Sequence, residues 1–159
     1  MVQSTSDLLT HDASARFDFW WRWLLVVTSG VVLCGAVLFL APGLTRQLFG
    51  LLLYGDQARL AAFPAEALAY VTLTHGVLGA LMFGWGMTLL MIVWGPFRRR
   101  SAEAWRMLVV ALLAWFVPDT SYSLVYGFWQ NAALNGVFGL MFAPALAATK
   151  SLMRNTPSR

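Results

Sequence analysis

Residues 105–130 read W-R-M-L-V-V-A-L-L-A-W-F-V-P-D-T-S-Y-S-L-V-Y-G-F-W-Q. The run is long enough to cross the ~30 Å hydrocarbon core of a bilayer as a helix. It carries Asp119 directly after Pro118. A carboxylate at that depth is costly, so such a residue faces the protein interior or a water-filled cavity. The neighbouring stretches must therefore supply partners for it.

Three further apolar runs surround this one. The first span covers about residues 19–41 and opens with Trp20, Trp21, Arg22 and Trp23, an aromatic belt with a snorkelling arginine. Pro42-Gly43 ends it. The second covers about 67–94, preceded by Pro64 and Glu66 at favoured N-terminal positions. Gly76, Ala80 and Gly84 recur there at every fourth residue, a stripe expected to pack closely against another helix. The third and fourth cover about 104–128 and 131–148. Asn131, Asn135, Gly139, Ala143 and Ala147 share one stripe of the fourth.

Residues 44–63 connect the first two spans, and the apolar run within them, residues 44–54, is too short for a further crossing. Leu44, Leu48, Leu51 and Leu52 recur at helical spacing, which predicts a short helix lying in the interface over the mouth of the bundle. Gly55-Asp56 marks a turn. Residues 1–18 are polar and read as a tail, or at most a short surface helix. They have no basic segment of the signal-peptide kind, so the expectation is no cleavage. Residues 150–159 form a basic tail. The expected fold class is all-α: a four-transmembrane-helix bundle with a short interfacial helix between the first and second spans.

Composition agrees. Hydrophobic residues make up 59% and charged residues 11% of 159, far from a soluble domain's balance. The net charge of +4 sits on residues flanking the spans rather than on a patch, which argues for membrane topology and against nucleic acid. Arg16, Arg22, Arg98, Arg99, Arg100, Arg106, Lys150, Arg154 and Arg159 fall on the side of the termini, and only Arg46 and Arg59 on the other. The positive-inside rule then puts both termini in the cytoplasm. Cys34 is the single cysteine and, lying in an apolar run, reads as a small hydrophobe.

The polar residues of the spans converge in depth. At ~1.5 Å per residue, His75 lies roughly 9 Å and Asp119 roughly 4–5 Å from the middles of their spans, toward the side opposite the termini. Asn135, Thr72, Thr120 and Ser123 fall in the same half. Trp115, Asp119, Tyr122, Ser123 and Tyr126 share one helical face, and Thr72, His75 and Gly79 another. If the faces meet, His75 bonds Asp119, with Asn135 and Tyr122 completing the shell. The candidate polar site is thus Asp119, His75, Asn135, Tyr122, Ser123 and Thr72. Pro118 frees the Ala114 carbonyl for another donor or water. Two readings stay open: a hydrogen-bonded tie between helices, or a functional acid. No catalytic motif, metal-ligand spacing or cofactor signature occurs.

The first span ending in proline, Leu48-Phe49-Gly50 in the connection, and residues 115–132 (W-F-V-P-D-T-S-Y-S-L-V-Y-G-F-W-Q-N-A) resemble small bacterial DoxX-like four-helix membrane proteins. The resemblance covers most of residues 41–148. It implies the fold and the bacterial inner membrane, and no catalytic residue. The function expected is that of a non-enzymatic accessory or interaction subunit, with the bilayer and a membrane protein or second copy as partners. The alternative is a small proton-coupled transporter, or a binder of a lipid, quinone or other small apolar ligand at the Asp119/His75 pocket.

Overall fold

The computed structural model describes residues 2–55 and 62–153, with side chains from Asp12 onward. Asp56 and Arg59 in the connection, and the tail from Arg154, lie outside the described residues. All the described elements are helices: α1 (Val2–Leu40), α2 (Pro42–Tyr54), α3 (Ala65–Ile92), α4 (Ala102–Val125) and α5 (Trp129–Thr149). A π-turn, Val93–Phe97, follows α3. Four stretches are long and apolar enough to span a bilayer: Asp12–Leu40, Ala65–Phe97, Ala102–Val125 and Trp129–Leu152.

No proline or glycine interrupts residues 2–29, so nothing stops α1 from extending back through the polar N-terminal segment. The expected tail is therefore continuous with the first span. Phe17, placed in that tail by composition, is buried and stacks on Phe97 at 5.9 Å. The helix ends where Pro42 starts α2, and Ala41 between them leaves helical geometry. Gly55, at φ +68°, closes α2 in the left-handed conformation that glycine accepts without strain.

The tightest packing joins α1 to α3, antiparallel, through glycines that let the backbones touch. A Cβ on Gly35 would lie 2.5 Å from the Phe83 nitrogen, and one on Gly79 2.6 Å from the Phe39 nitrogen. The stripe expected to do this, Gly76, Ala80 and Gly84, faces elsewhere. Ala80 and Gly84 are exposed, and a Cβ on Gly76 or Gly84 would meet nothing within 4 Å. Rotation of α3 is set by where Gly35 allows approach, one position away from the stripe that spacing alone picks out.

Indole donors stitch the helices. Trp21 Nε1 donates to the Val93 carbonyl (3.0 Å) and Trp23 Nε1 to that of Met141 (2.7 Å). Each acceptor sits three residues before a helix proline, Pro96 or Pro144, in a turn that proline opens. Trp105 Nε1 donates to the Leu146 carbonyl at 2.8 Å. Arg98 lies over Trp21 and Arg100 over Phe17, each 4.6 Å from the ring centroid. The apolar core gathers at this end, around Phe17, Leu24, Val93, Phe97, Leu108 and Phe142.

The opposite end is looser. Leu108, Leu112, Trp115, Asp119, Tyr122 and Tyr126 alternate in steps of four and three along one face of α4, the spacing of a helix-packing seam. Exposure climbs along it, from 1% at Leu108 and 9% at Leu112 to 61% at Tyr122 and 62% at Tyr126. Near mid-height the Trp85 and Trp115 rings meet at 5.7 Å. Beyond them the α4 face loses its cover, and α2 lies across this end. Its Thr45 and Gly50 are buried, while Leu44, Leu48, Leu51 and Leu52 point outward. Gln130 Nε2, at the start of α5, donates to the Leu53 carbonyl at 3.3 Å.

Candidate functional site

Asp119 is half-buried, on the face of α4 that meets α5. The two helices form a hairpin turning at Gly127, whose φ of +79° needs glycine. The Phe128 N–H closes the end of α4 on the Ser123 carbonyl at 2.7 Å. Counting outward from Gly127 sets Ser123 opposite Asn131 and Asp119 opposite Asn135, and the hydrogen bonds form in that neighbourhood. Asn131 Nδ2 donates to Asp119 Oδ1 (3.1 Å) and to Ser123 Oγ (2.8 Å). Ser123 Oγ is 2.7 Å from the Asp119 carbonyl and 3.5 Å from Asp119 Oδ1. Its single hydrogen goes to the nearer oxygen. The Asn131 amide, the Ser123 hydroxyl and Asp119, through its carboxylate and its main-chain carbonyl, thus form a closed loop with each hydrogen assigned. One turn further along α5, Asn135 Nδ2 donates to Thr120 Oγ1 at 3.3 Å.

His75 takes no part in this loop. Its ring lies 5.1 Å from that of Phe49 on α2, tilted by 44°. Its Nδ1 is shielded from solvent and has no hydrogen-bond partner. The Val71 carbonyl, one turn back, is near the ring, as is the Arg46 charge, but that carbonyl is outside hydrogen-bonding geometry. Thr72 donates to the Leu68 carbonyl at 2.7 Å and accepts from Arg46 Nη1 at 3.3 Å. Tyr122 is exposed, and its ring lies 4.3 Å from that of Tyr126, tilted by 34°.

The expected cluster therefore divides. Asp119 and Ser123 stay together, Asn135 bonds Thr120 beside them, His75 and Thr72 belong to the α2–α3 contact, and Tyr122 stands apart. Counting along the spans put the residues in the same half of the bundle, but two things separate their faces. The Trp85–Trp115 contact fills the space between α3 and α4, and α2 occupies the α3 surface around His75. Asn131 is the partner absent from the expected site, and the hairpin register about Gly127 is the signal that points to it.

Chemically, one neutral donor, the Asn131 amide, holds Oδ1, and Oδ2 is left without a described partner. Among the described residues no cationic side chain pairs with Asp119. No group of three His, Cys, Asp or Glu gathers among them either. Comparison with protein-family models, with curated proteins and with solved structures finds no match.

Proposed function

We propose that this integral membrane protein is a non-enzymatic accessory or interaction subunit of a bacterial inner membrane, with both termini cytoplasmic. The observation that carries the reading is the α4 seam. A face that is sealed at Leu108 and Leu112 presents Tyr122 and Tyr126 uncovered. Aromatic residues with a polar tip are favoured where one protein surface meets another. The polar groups nearest the seam are engaged in holding α4 to α5, which suits a scaffold that presents a surface. The resemblance to DoxX-like proteins and the nine-to-two distribution of basic residues support the compartment and orientation.

A photo-crosslinking amino acid at Tyr122, compared with one at the lipid-facing Val110, tests the reading in native membranes. The expected result is a discrete protein adduct from position 122, either a partner or a second copy, and lipid adducts alone from position 110. Lipid adducts alone from both positions would reject it.

A second reading has one observation in its favour. Asp119 sits on the same seam, at the point where cover is lost, with Oδ2 unoccupied by a described donor. A small proton-coupled transporter or small-ligand binder would use that oxygen. In that case Asp119→Asn removes uptake or binding in reconstituted vesicles while the fold is retained.

A further inference from the structure

We propose that a groove on the outer surface of α3 holds one acyl chain of an anionic phospholipid, with the phosphate seated on Arg46. The groove has a volume of about 720 Å³ and is lined by Phe39, Pro42, Ala69, Thr72, Gly76 and Ala80, among others. From Ala69 to Ala80 it follows α3 for ~16 Å, close to half of the ~30 Å hydrocarbon thickness. It therefore has the length of one leaflet's chains. Gly76 leaves the floor open because it carries no side chain, and a Cβ there would meet nothing within 4 Å.

The polar end of the groove selects the headgroup. Thr72 lines it, and its hydroxyl gives its hydrogen to the Leu68 carbonyl. The hydroxyl oxygen can therefore only accept, and it receives Arg46 Nη1 at 3.3 Å. That contact aims the guanidinium at the head of the groove without cancelling its charge. Among the described residues no carboxylate pairs with Arg46, and its other guanidinium N–H groups form a planar fork that matches phosphate oxygens. A packed helix from a second copy would fill the floor equally well. It would bring apolar side chains to the guanidinium rather than an anion, so charge complementarity favours the lipid.

Native mass spectrometry of the full chain, with phosphatidylglycerol or phosphatidylcholine added to the detergent, tests this. The expected result is one retained phosphatidylglycerol per chain in preference to phosphatidylcholine. Arg46→Gln should weaken its binding at least ~10-fold, the scale of losing a hydrogen bond to a charged group, and Arg46→Lys should weaken it less. Ala80→Leu leaves Arg46 in place, fills the floor from an exposed position and should weaken binding as well. Unchanged melting of each variant shows that the fold is intact. Equal retention of phosphatidylglycerol by the wild type, Arg46→Gln and Ala80→Leu overturns the proposal. So does disulfide dimerisation of Gly76→Cys in lipid bilayers, which would make the groove a contact between copies.

Discussion

Replacing Gly35 with alanine asks whether α1 and α3 touch backbone to backbone. The added methyl would sit 2.5 Å from the Phe83 nitrogen, about 1 Å short of the 3.4 Å at which ordinary contact begins. The obstacle is main chain inside a continuous helix, so it cannot rotate aside. Gly79→Ala meets the same kind of wall, at 2.6 Å from both Leu38 Cβ and the Phe39 nitrogen. Overpacking of this sort costs about 1–3 kcal/mol. Alanine's better helix propensity returns up to ~1 kcal/mol, which leaves each variant destabilised by up to about 2 kcal/mol. One separation of the helices accommodates both methyl groups, so the double substitution should cost less than the sum. Gly76→Ala and Gly84→Ala are the controls. They meet nothing within 4 Å and should be neutral or stabilising by up to ~1 kcal/mol. Reversible unfolding of the full chain in mixed micelles, titrated with dodecyl sulfate, measures all five variants against the wild type. If Gly35→Ala and Gly79→Ala behave like the controls, the close approach is refuted. If the controls are the damaging pair, the packing face is the one that residue spacing suggested.

The Asp119–Asn131 bond should appear in a double-mutant cycle. Asp119→Leu and Asn131→Leu each cost about 1–2 kcal/mol and couple by about 0.6–1.7 kcal/mol. Asp119→Asn, which retains an acceptor for the amide, costs less. Coupling of Asp119 to His75 as strong as that to Asn131 would contradict the assignment. Orientation is checked by thiol labelling in a Cys34→Ala background. Gln47→Cys should react with a membrane-impermeant reagent from outside the cell and Arg99→Cys only after lysis, and the reverse order would invert the topology.

The spans were legible because the apolar runs are bounded by chemistry with a local meaning: Pro42-Gly43 after the first, Pro64 and Glu66 before the second, and basic residues flanking the spans. The short helix was legible in its leucine spacing, and its leucines do face outward. Rotations about the helix axes were not. On α3, small residues occupy two adjacent faces, Gly76–Ala80–Gly84 and Gly79–Gly86. The choice between them was made on another helix, at Gly35. The same holds for Asp119. Its depth follows from counting at 1.5 Å per residue, but its partner depends on which neighbour packs along its whole length. The α4–α5 hairpin does so, whereas α3 and α4 meet chiefly at the end near the π-turn and at the Trp85–Trp115 contact. Phe17 was missed for a different reason: its sequence neighbours are polar, and its burial depends on Phe97, eighty positions away.

The hydroxyls of the spans have a bearing on how the chain enters the bilayer. Thr28, Thr72, Thr74, Thr88 and Thr149 each donate to a carbonyl four residues back on their own helix. A segment leaving the translocon with such residues is already satisfied and can wait in lipid for its neighbours. The third segment differs. Its carboxylate finds its amide only on the fourth, beyond a turn of a few residues around Gly127. The first two segments can therefore partition one at a time, whereas the last two are suited to leave the channel together, as a hairpin already closed on Asp119.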